Sequence, residues 1–529
     1  MKNKLKIIEK ICIAGILISI LIIVGGICYL WMNPGKDDKT IPEAETSKKE
    51  LTGELDFMPS NLHLGEKIEL DYFQDVQGNQ ISLEKEYDDK IKILIFWGSW
   101  CSYCDKTLQS LRECRKILKD YEDIEIILIN KTDTDKEETV EKAKNYLDEQ
   151  DLDFSCFYDK DLMGYNAYGI KRIPTILVLD KHGYVRDIKV STIESEQEWR
   201  QLFDEAEYGK DYRILKKIES EWMGKEGQIY TEKKQNQSSS PSGHDVLSES
   251  QGIMMEYAVI SDNKELFEKS ENFLQNNLER EHIYSWYFTE NGKQAEANAL
   301  LDDLRIYKAF SLANDLWGEQ EKQINSLLEG IWEHNTDGNE LYSFYDFSQK
   351  KPGKEIALNY VDFKTFELLA KQDEKFGVIS QNMKSIVENG YISDTFPLYY
   401  SSYDYKKKKY SEENLHTAEA LFTLYHLAQV ERMKNTSREW LREQLAENGL
   451  YARYGTDGDV ADGYEYESVA VYAIAALTGI ELQDSDIYTK AIQRMEVLMQ
   501  QNTETDNMRV FDLLMPMLAY ARGNEVEFY

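Results

Sequence analysis

Two cysteines separated by two residues are the feature that most constrains the fold of this chain. Cys101 and Cys104 follow the apolar, β-branched run of residues 91–97 and precede a segment in which Leu108 and Leu111 begin an apolar repeat with helical spacing. The pattern predicts a strand, a turn that carries the cysteines, and a helix. At such a turn Cys101 faces the free N–H groups and the positive end of the helix dipole, which stabilise a thiolate. We therefore expect Cys101 to be a nucleophile.

The same spacing also occurs in half of a zinc site. A structural zinc site needs a second Cys/Cys or Cys/His pair, and neither Cys114 nor Cys156 has a neighbour at that spacing. We therefore expect no metal and no cofactor. Cys104 is assigned to the resolving step, in which it attacks a mixed disulfide between Cys101 and a partner protein and releases the partner. Cys114 and Cys156 are expected to be buried core thiols.

Residues 56–208 alternate strand and helix patterns, as an α/β domain does. Three motifs in this part of the chain resemble those of the TlpA-like thiol-disulfide oxidoreductases, which have the thioredoxin fold. In chain order they are DVQGNQISL (residues 75–83), FWGSWCSYC (96–104) and YGIKRIPTILVLDKHG (168–183).

The resemblance implies a cis peptide bond between Ile173 and Pro174 that lies beside Cys101, where the backbone at Pro174 pairs with a substrate. One departure is Tyr103, because such proteins usually have Pro or His before the second cysteine. A peroxiredoxin is the weaker interpretation, since Cys101 follows Trp100 rather than a loop rich in Thr and Pro. The partner implied is a thiol or disulfide protein.

The second domain, residues 209–529, has a helical apolar period almost throughout. Loops with Gly, Asn and Asp separate about ten to twelve helical segments, which show no fixed sequence repeat. An antiparallel set of this size predicts an all-α toroid of the (α/α)6 type.

Carboxylates recur in this domain near loop ends, at positions where the helical pattern calls for apolar residues. A buried carboxylate without a partner is costly, so each is either a cap, a satisfied core acid or a functional group. Aromatic residues lie near them in sequence, and glycoside hydrolysis needs one protonated carboxyl, one ionised carboxyl and flat faces for sugar rings. The acids are Glu249, Asp302, Asp303, Asp362, Glu419 and Glu467, and the aromatic residues expected to bind substrate are Trp286 and Tyr360.

The order of these segments resembles glycoside hydrolase family 8, whose members are inverting (α/α)6 enzymes that cut β-linked glucans, xylans and chitosans. By that resemblance Glu249, in Ser-Glu-Ser-Gln, is the general acid, and Asp303 or Asp302 orients the sugar and stabilises developing charge. The glycine of the family's Ser-Glu-Gly-Gln motif is Ser250 here. The family's late Asp base is not recognisable, and Glu419 or Glu467 could replace it.

Two other interpretations of the toroid remain open. A missing base would leave a domain that binds a polysaccharide without cutting it. Alternatively, the toroid is a docking scaffold for a thiol partner and has no affinity for sugar. In both cases the thioredoxin-like domain would be the only enzyme in the chain.

The N-terminus predicts a membrane anchor. Residues 11–32 form an apolar run of 22 residues, enough to cross a bilayer, and lysines precede it. We therefore expect residues 1–33 to be a cytoplasmic tail and a single transmembrane helix, residues 34–55 a linker, and the two domains extracellular on a Gram-positive cell. The net charge of -34 would repel nucleic acid, which leaves an extracellular polysaccharide and the membrane as the other partners.

Overall fold

The computed structural model describes residues 57–132, 134–136, 138–234, 241–502 and 508–528. Among these residues, no helix combines the length and the apolar character needed to span a bilayer. The predicted anchor, residues 11–32, and the linker, residues 34–55, lie outside the described residues.

The first domain is built on a seven-stranded mixed sheet with the order β2-β1-β5-β4-β3-β6-β7. Its central strand β3 pairs in parallel with β4 and antiparallel with β6. Every residue of β3 is buried, which explains why the whole run is apolar. The strands are β1 (Phe73–Gln74), β2 (Gln80–Ile81), β3 (Ile91–Trp97), β4 (Ile124–Lys131), β5 (Ser155–Asp159), β6 (Thr175–Leu179) and β7 (Val185–Lys189).

Helices cover both faces of this sheet, as in the predicted α/β domain. They are α1 (Leu83–Glu86), α2 (Ser102–Glu113), α3 (Arg115–Leu118), α4 (Val140–Glu149), α5 (Met163–Tyr168) and α6 (Glu196–Tyr208). The active-site helix α2 follows directly from the central strand after a four-residue turn that ends at Cys101. Gly209 separates α6 from the first helix of the second domain and has φ 89°, a value that glycine adopts without strain.

The second domain contains twelve helices within the part of the chain that the structure describes. They are α7 (Lys210–Glu221), α8 (Ser248–Ile260), α9 (Lys264–Asn277), α10 (Leu300–Trp317), α11 (Glu321–Asn335), α12 (Phe363–Gln372), α13 (Lys375–Asn389), α14 (Thr417–Ala428), α15 (Asn435–Glu443), α16 (Val469–Glu481), α17 (Ser485–Asn502) and α18 (Phe511–Asn524).

Six of these helices form a closed inner ring. In the order α8, α10, α12, α14, α16 and α18, each packs against the next, and α18 packs against α8. The outer helices α9, α11, α13 and α17 pack against the inner helix that precedes them, α7 packs against α18, and α15 lies beside α17. The predicted (α/α)6 toroid is therefore confirmed, and its sixth hairpin joins the first and last helices of the domain.

The two layers differ in how their surfaces are used. The inner helix α16 is buried at every position from Val469 to Ile480, as expected of a helix that is apolar all round. The outer helix α9 buries one face, which includes Leu266, Phe267 and Leu274, and exposes the other. The core of the domain therefore lies between the two rings.

The two ends of the toroid differ in their loops. Each of the first five inner helices is joined to the following outer helix by a short turn, whereas the connections that lead into these five inner helices are long and carry all the short strands of the domain. These strands are β8 (Val246–Leu247), β9 (Glu279–Arg280), β10 (Ile283–Tyr284), β11 (Tyr287–Phe288), β12 (Thr336–Asp337), β13 (Glu340–Leu341), β14 (Tyr345–Asp346), β15 (Lys351–Pro352), β16 (Glu355–Ala357), β17 (Ser402–Asp404), β18 (Lys409–Tyr410), β19 (Leu415–His416) and β20 (Arg453–Tyr454). We call this end, where all the inner helices begin, the loop end.

The first domain packs on the other end of the toroid, where the inner helices finish. The Phe528 N–H donates to the Gly65 carbonyl at 2.9 Å. Arg186 of β7 donates through Nη1 to the carbonyl oxygens of Gly523 and Val526, at 3.2 and 2.9 Å. The C-terminal segment thus extends the edge of the thioredoxin-like sheet, and the loop end of the toroid stays clear of the first domain.

A buried ion cluster reinforces this interface. The Lys210 ammonium, at the start of α7, lies 2.7 Å from a carboxylate oxygen of Asp187 on β7 and 2.5 Å from one of Glu496 on α17. Lys189 lies 3.3 Å from the other Asp187 oxygen. Burial alone would raise the pKa of Asp187, but the two ammonium groups outweigh it and hold that pKa below its ordinary value. Lys210 therefore links both domains through charge.

Candidate functional site

The two cysteines of the first domain form a disulfide at the start of α2. Cys101 is the residue that caps the helix, and its Sγ accepts the Cys104 N–H at 3.1 Å. The same Sγ lies 3.5 Å from the Ile173 carbonyl oxygen, and the Ile173–Pro174 bond is cis. The structure therefore brings together Cys101, Cys104 and Pro174, as the sequence predicts.

The two sulfurs differ in access. Cys104 is 1% exposed, whereas Cys101 is only partly buried. Tyr103 between them is 62% exposed, so its ring stands on the surface beside the disulfide. A partner protein can reach Cys101 but not Cys104, and this matches an attacking thiol and a resolving thiol.

A buried carboxylate that the sequence analysis did not identify supports the turn before Cys101. Glu138 accepts the Ser99 N–H at 2.9 Å and the Asn130 amide at 3.0 Å through Oε1, and the Ser99 hydroxyl at 2.5 Å through Oε2. These bonds tie the residues just before Cys101 to strand β4. Glu138 follows a polar stretch of loop, and no periodic pattern in the sequence marks it.

The other two thiols of this domain are unsuited to exchange. Burial raises the pKa of the Cys114 thiol to about 11 and that of Cys156 to about 12. Neither forms a useful amount of thiolate near neutral pH. The structure agrees with the prediction that both are core residues.

At the loop end of the toroid, each of the six inner helices begins with a carboxylate in or just before its first turn. Because the helices of the inner ring run in the same direction, these acids lie at one end of the ring. Five of the six positions belong to acids predicted from the sequence, and the sixth, Asp512, is new. In ring order they are Glu249 on α8, Asp302 and Asp303 on α10, Asp362 before α12, Glu419 on α14, Glu467 before α16 and Asp512 on α18.

Glu249 and Asp302 form the central acid pair at this end of the ring. One nitrogen of Arg305, Nη1, lies 3.6 Å from Glu249 Oε1 and 3.8 Å from Asp302 Oδ1. The Ser248 hydroxyl donates to Asp302 Oδ2 at 2.6 Å. Burial raises the pKa of Glu249 well above its ordinary value, and the Asp302 charge raises it further, while Arg305 opposes both. Burial also raises the pKa of Asp302, to about 6.

Asp303 does not take part in this pair, which corrects the expectation that it orients the sugar. It is fully buried, and its carboxylate accepts the Tyr284 N–H at 3.0 Å and the Asn298 amide at 2.7 Å. Burial raises the pKa of Asp303 well above its ordinary value. Of the two adjacent acids, Asp302 faces Glu249 and Asp303 holds the loop before α10.

The arrangement around Glu467 argues against its predicted role as a general base. The Arg494 guanidinium, on the outer helix α17, donates to both Glu467 oxygens at 2.7 and 2.9 Å. The Tyr472 hydroxyl donates to the same carboxylate at 2.5 Å. Glu467 therefore points toward the outer layer and is engaged there.

Asp362 caps helix α12. Its oxygens accept the Thr365 N–H at 3.0 Å and the Thr365 hydroxyl at 2.6 Å. Burial opposes ionisation, but His426, Lys308 and the Thr365 hydrogen bonds outweigh it, so the pKa of Asp362 lies below its ordinary value. Asp362 therefore stabilises the start of the helix, and its predicted contact with substrate stays a prediction.

The remaining predicted residues lie at the loop end. Glu419 is partly buried in the first turn of α14. Trp286 is adjacent to the acid pair, because its carbonyl oxygen accepts the Ser248 N–H at 3.1 Å. Tyr360 is partly buried two residues before Asp362. All three therefore lie at the same end of the toroid as Glu249, and their contact with substrate stays a prediction.

Asp512 is the acid that sequence reasoning missed. It accepts hydrogen bonds from the Ser468 side chain and the Ala470 N–H, and burial raises its pKa to about 6. Asp512 lies in the first turn of a largely apolar helix, as Glu249 does. The sequence shows this pattern in the segment that starts at Phe511, so Asp512 could have been predicted in the same way.

Together, the fold and the disulfide define the first domain as a thioredoxin-like thiol-disulfide oxidoreductase. Comparison with known proteins agrees. The AhpC/TSA family model matches residues 65–188, and ResA, a thiol-disulfide oxidoreductase of Bacillus thuringiensis subsp. konkukian, is 30% identical over 128 residues, which cover 24% of this chain and 68% of ResA. Through this domain the chain belongs to the ResA-like thiol-disulfide oxidoreductases.

The toroid also has known relatives. A solved alpha-amylase from Clostridium perfringens is 28% identical, with a TM-score of 0.54, over 59% of this chain and 97% of its own. YdaJ of Bacillus subtilis is 26% identical over 290 residues, which cover 52% of this chain and 73% of YdaJ. The prediction of a TlpA-like enzyme domain followed by a toroid with the fold of a glycoside hydrolase is confirmed.

Proposed function

We propose that this chain is a membrane-anchored extracellular enzyme that joins thiol-disulfide exchange to hydrolysis of a polysaccharide. The observation that carries the hydrolase proposal is the acid pair of Glu249 and Asp302 at the loop end of the toroid. It combines a carboxyl that retains its proton with a second carboxyl close by, as glycoside hydrolysis requires. The apolar run of residues 11–32 supports the anchor.

In the proposed hydrolysis, Glu249 donates its proton to the glycosidic oxygen as the bond to the leaving sugar breaks. Asp302, ionised, stabilises the positive charge that develops on the ring. A water molecule, deprotonated by a carboxylate on the other side of the sugar, attacks the anomeric carbon with inversion. Glu419 is our candidate for that base, because Glu467 is engaged by Arg494.

The substrate class is a polysaccharide, and its linkage is open to test. Resemblance to family 8 suggests a β-linked exopolysaccharide. The similar protein from Clostridium perfringens is an alpha-amylase, which makes an α-linked glucan the second candidate. Trp286 and Tyr360 supply flat faces beside the acids for either polymer.

For the exchange reaction, the Cys101 thiolate of the reduced enzyme attacks a partner disulfide. A bond forms between Cys101 and one partner sulfur, and the other partner sulfur leaves as a thiolate. Cys104 then attacks Cys101, so the partner departs as a dithiol and the enzyme is left with the disulfide seen here. The same steps in reverse oxidise a partner.

The thiol partner is a separate protein. The toroid, residues 209–529, contains no cysteine, so the first domain has no substrate within it. Cys114 is buried, and Cys156 is partly buried with a thiol pKa raised to about 12 by desolvation. The exchange reaction must therefore act on another polypeptide at the cell surface.

Reducing-end release by the full chain in detergent tests the hydrolase proposal. The wild type is compared with Glu249→Gln on amylose, β-glucan, xylan and chitosan, and Glu265→Gln, at an exposed position on α9, is the control. We expect release from one class of polymer, a loss of at least about 100-fold in Glu249→Gln, and no change in the control. Binding of a polymer without release by the wild type would leave the toroid a binding domain.

A further inference from the structure

Arg305 is a buried cation inside the acid pair that the hydrolase mechanism does not use. It lies on α10, one turn after Asp302, and is 7% exposed. Its Nη1 is 3.6 Å from Glu249 and 3.8 Å from Asp302, distances longer than a hydrogen bond. Among the described residues, this nitrogen has no hydrogen-bond partner. A buried donor without a hydrogen-bond partner lowers the stability of the fold. Its position therefore points to a role other than stabilising the fold.

The guanidinium is held in place from α14, the inner helix two places along the ring from α10. Its central carbon lies 5.7 Å from the centre of the Phe422 ring on α14, a distance at which a cation is attracted to the ring face. Arg305 is thus fixed by packing rather than by a salt bridge with ideal geometry. From this position it acts on both carboxylates at once.

Several other charged groups lie near Arg305 and contribute to the net charge around the acid pair. Glu256 and Lys308 neutralise each other at 2.6 Å. His426 is neutral near pH 7, because burial lowers its pKa to about 4. The groups whose charges act with Arg305 are Glu249 and Glu256 from α8, Asp302 from α10 and His426 from α14. Lys308 on α10 and Asp362 before α12 act on His426 in turn.

The positive charge of Arg305 determines how many protons Glu249 and Asp302 hold between them. Two buried carboxyls side by side would both tend to take up a proton, because burial disfavours each charge. The proposed mechanism needs one proton on the pair, not two. Arginine does not lose its own proton in proteins, so it compensates one negative charge over the whole working pH range.

We propose that Arg305 is a positioning residue that keeps Asp302 ionised beside a protonated Glu249. This inference rests on the proposed hydrolase function. A lysine at the same place would keep the charge but lose the planar group that reaches both acids. A neutral residue would remove the compensation altogether.

The pH dependence of kcat/KM provides the first test, with wild type, Arg305→Gln and Arg305→Lys. Without the cation, both carboxyls hold their protons to higher pH. We therefore expect both limbs of the profile to move upward in Arg305→Gln, by about one pH unit or more, and less in Arg305→Lys. A profile that is lower at every pH but has its limbs in place would mean that Arg305 is only structural, and would overturn the proposal.

A second test does not depend on hydrolysis. Thermal unfolding is followed at pH 5 and pH 8 for wild type, Arg305→Gln, Asp302→Asn and the double variant. At pH 8 Arg305→Gln leaves the ionised Asp302 uncompensated and lowers Tm, and Asp302→Asn in the same chain recovers part of that loss. The recovery is smaller at pH 5, where the acids are protonated.

The two tests separate the two proposals. Coupling between positions 302 and 305 without any release of reducing ends would keep the charge role and refute the hydrolase. Additive effects of the two substitutions at both pH values would refute the charge role itself. Arg200→Gln, at an exposed ion pair of the first domain, is the control for loss of an arginine. If Arg305→Gln does not fold, Arg305→Lys carries the same comparison.

Discussion

At the scale of single residues, acids of the same type differ in role because their neighbours differ. Asp302 and Asp303 are adjacent in sequence, yet one faces Glu249 and Arg305 and the other is bound by Asn298 and a backbone N–H. Successive side chains of a helix point about 100° apart. Two adjacent acids can therefore face different surroundings, one toward the acid pair and the other into the core.

This difference predicts opposite effects of two similar substitutions. Asp303→Asn replaces one of the two carboxyl oxygens that accept the Tyr284 N–H and the Asn298 amide with an NH2 group. We expect it to lower the free energy of unfolding by about 1–3 kcal/mol with little change in kcat. Asp302→Asn should instead lower kcat and leave stability nearly unchanged. Urea unfolding and reducing-end assays on both variants measure this. An inactive but fully stable Asp303→Asn variant would place Asp303 in the cleft after all.

The two cysteines predict a second asymmetry. Cys104→Ser leaves the accessible Cys101 without a resolving thiol, so a mixed disulfide with the partner protein should accumulate. Cys101→Ser should trap none, because Cys104 is buried. Non-reducing gels followed by mass spectrometry of the trapped species measure the difference. Equal trapping by the two variants would contradict the assigned order of attack.

At the scale of elements, the apolar strands were the easiest to predict. The run of residues 91–97 coincides with β3, because a central strand buried on both faces is apolar at every position. The capping position of Cys101 followed from the same boundary. The helices of the toroid were also predicted as helices, since their apolar period is strong.

What the sequence did not reveal is which way the acids of the inner helices point. Most of these helices are buried on nearly every side in their first turns, so the period identifies no cleft face. That is why Glu467 was taken for a base although Arg494 holds it, and why Asp303 was favoured equally with Asp302. The two-residue strands of the long loops escaped prediction because so short a strand shows no alternation.

The start of α12 allows a test at this scale. If Asp362 is a cap, Asp362→Ala should lower the free energy of unfolding by about 1–2 kcal/mol without raising KM, and Asp362→Asn should retain most of the stability. Because the folded pKa of Asp362 is depressed, its contribution is present above the unfolded pKa and is lost as the pH falls through the folded pKa. The effect of Asp362→Ala should therefore shrink below about pH 4. A raised KM with unchanged stability would restore the predicted contact with sugar.

At the scale of the whole molecule, the two chemistries face different ways. The first domain sits where the inner helices finish, and the acids ring the end where those helices begin. The edge strand β7, the C-terminal segment and Lys210 form the contact between domains. A bound polysaccharide at the loop end would therefore leave Cys101 open to a thiol partner, and both could be engaged together.

This arrangement depends on charge, and Lys210→Met tests it. Removing Lys210 leaves the carboxylates of Glu496 and Asp187 with less positive charge beside them. We expect the free energy of unfolding to fall by about 3 kcal/mol. This is the lower end of the range for a broken buried ion pair, because Lys189 still lies beside Asp187. Asp187 has a depressed pKa and Lys210 a raised one. The stability that Asp187 contributes is therefore lost as the pH falls through its folded pKa, and the stability that Lys210 contributes is lost as the pH rises through its folded pKa. The variant should differ most from wild type in stability between about pH 4 and pH 10.

Calorimetry distinguishes this interface from an incidental contact. With Lys210 in place the two domains should unfold together, and in Lys210→Met the thioredoxin-like domain and the toroid should separate into two transitions. Lys216→Met, on the same helix in an exposed pair with Glu219, is the control and should unfold as the wild type does. If both lysine variants gave one transition at the wild-type temperature, Lys210 would not be what couples the domains. The backbone pairing of Phe528 with Gly65 and the hydrogen bonds of Arg186 would then hold the two active sites in their fixed orientation.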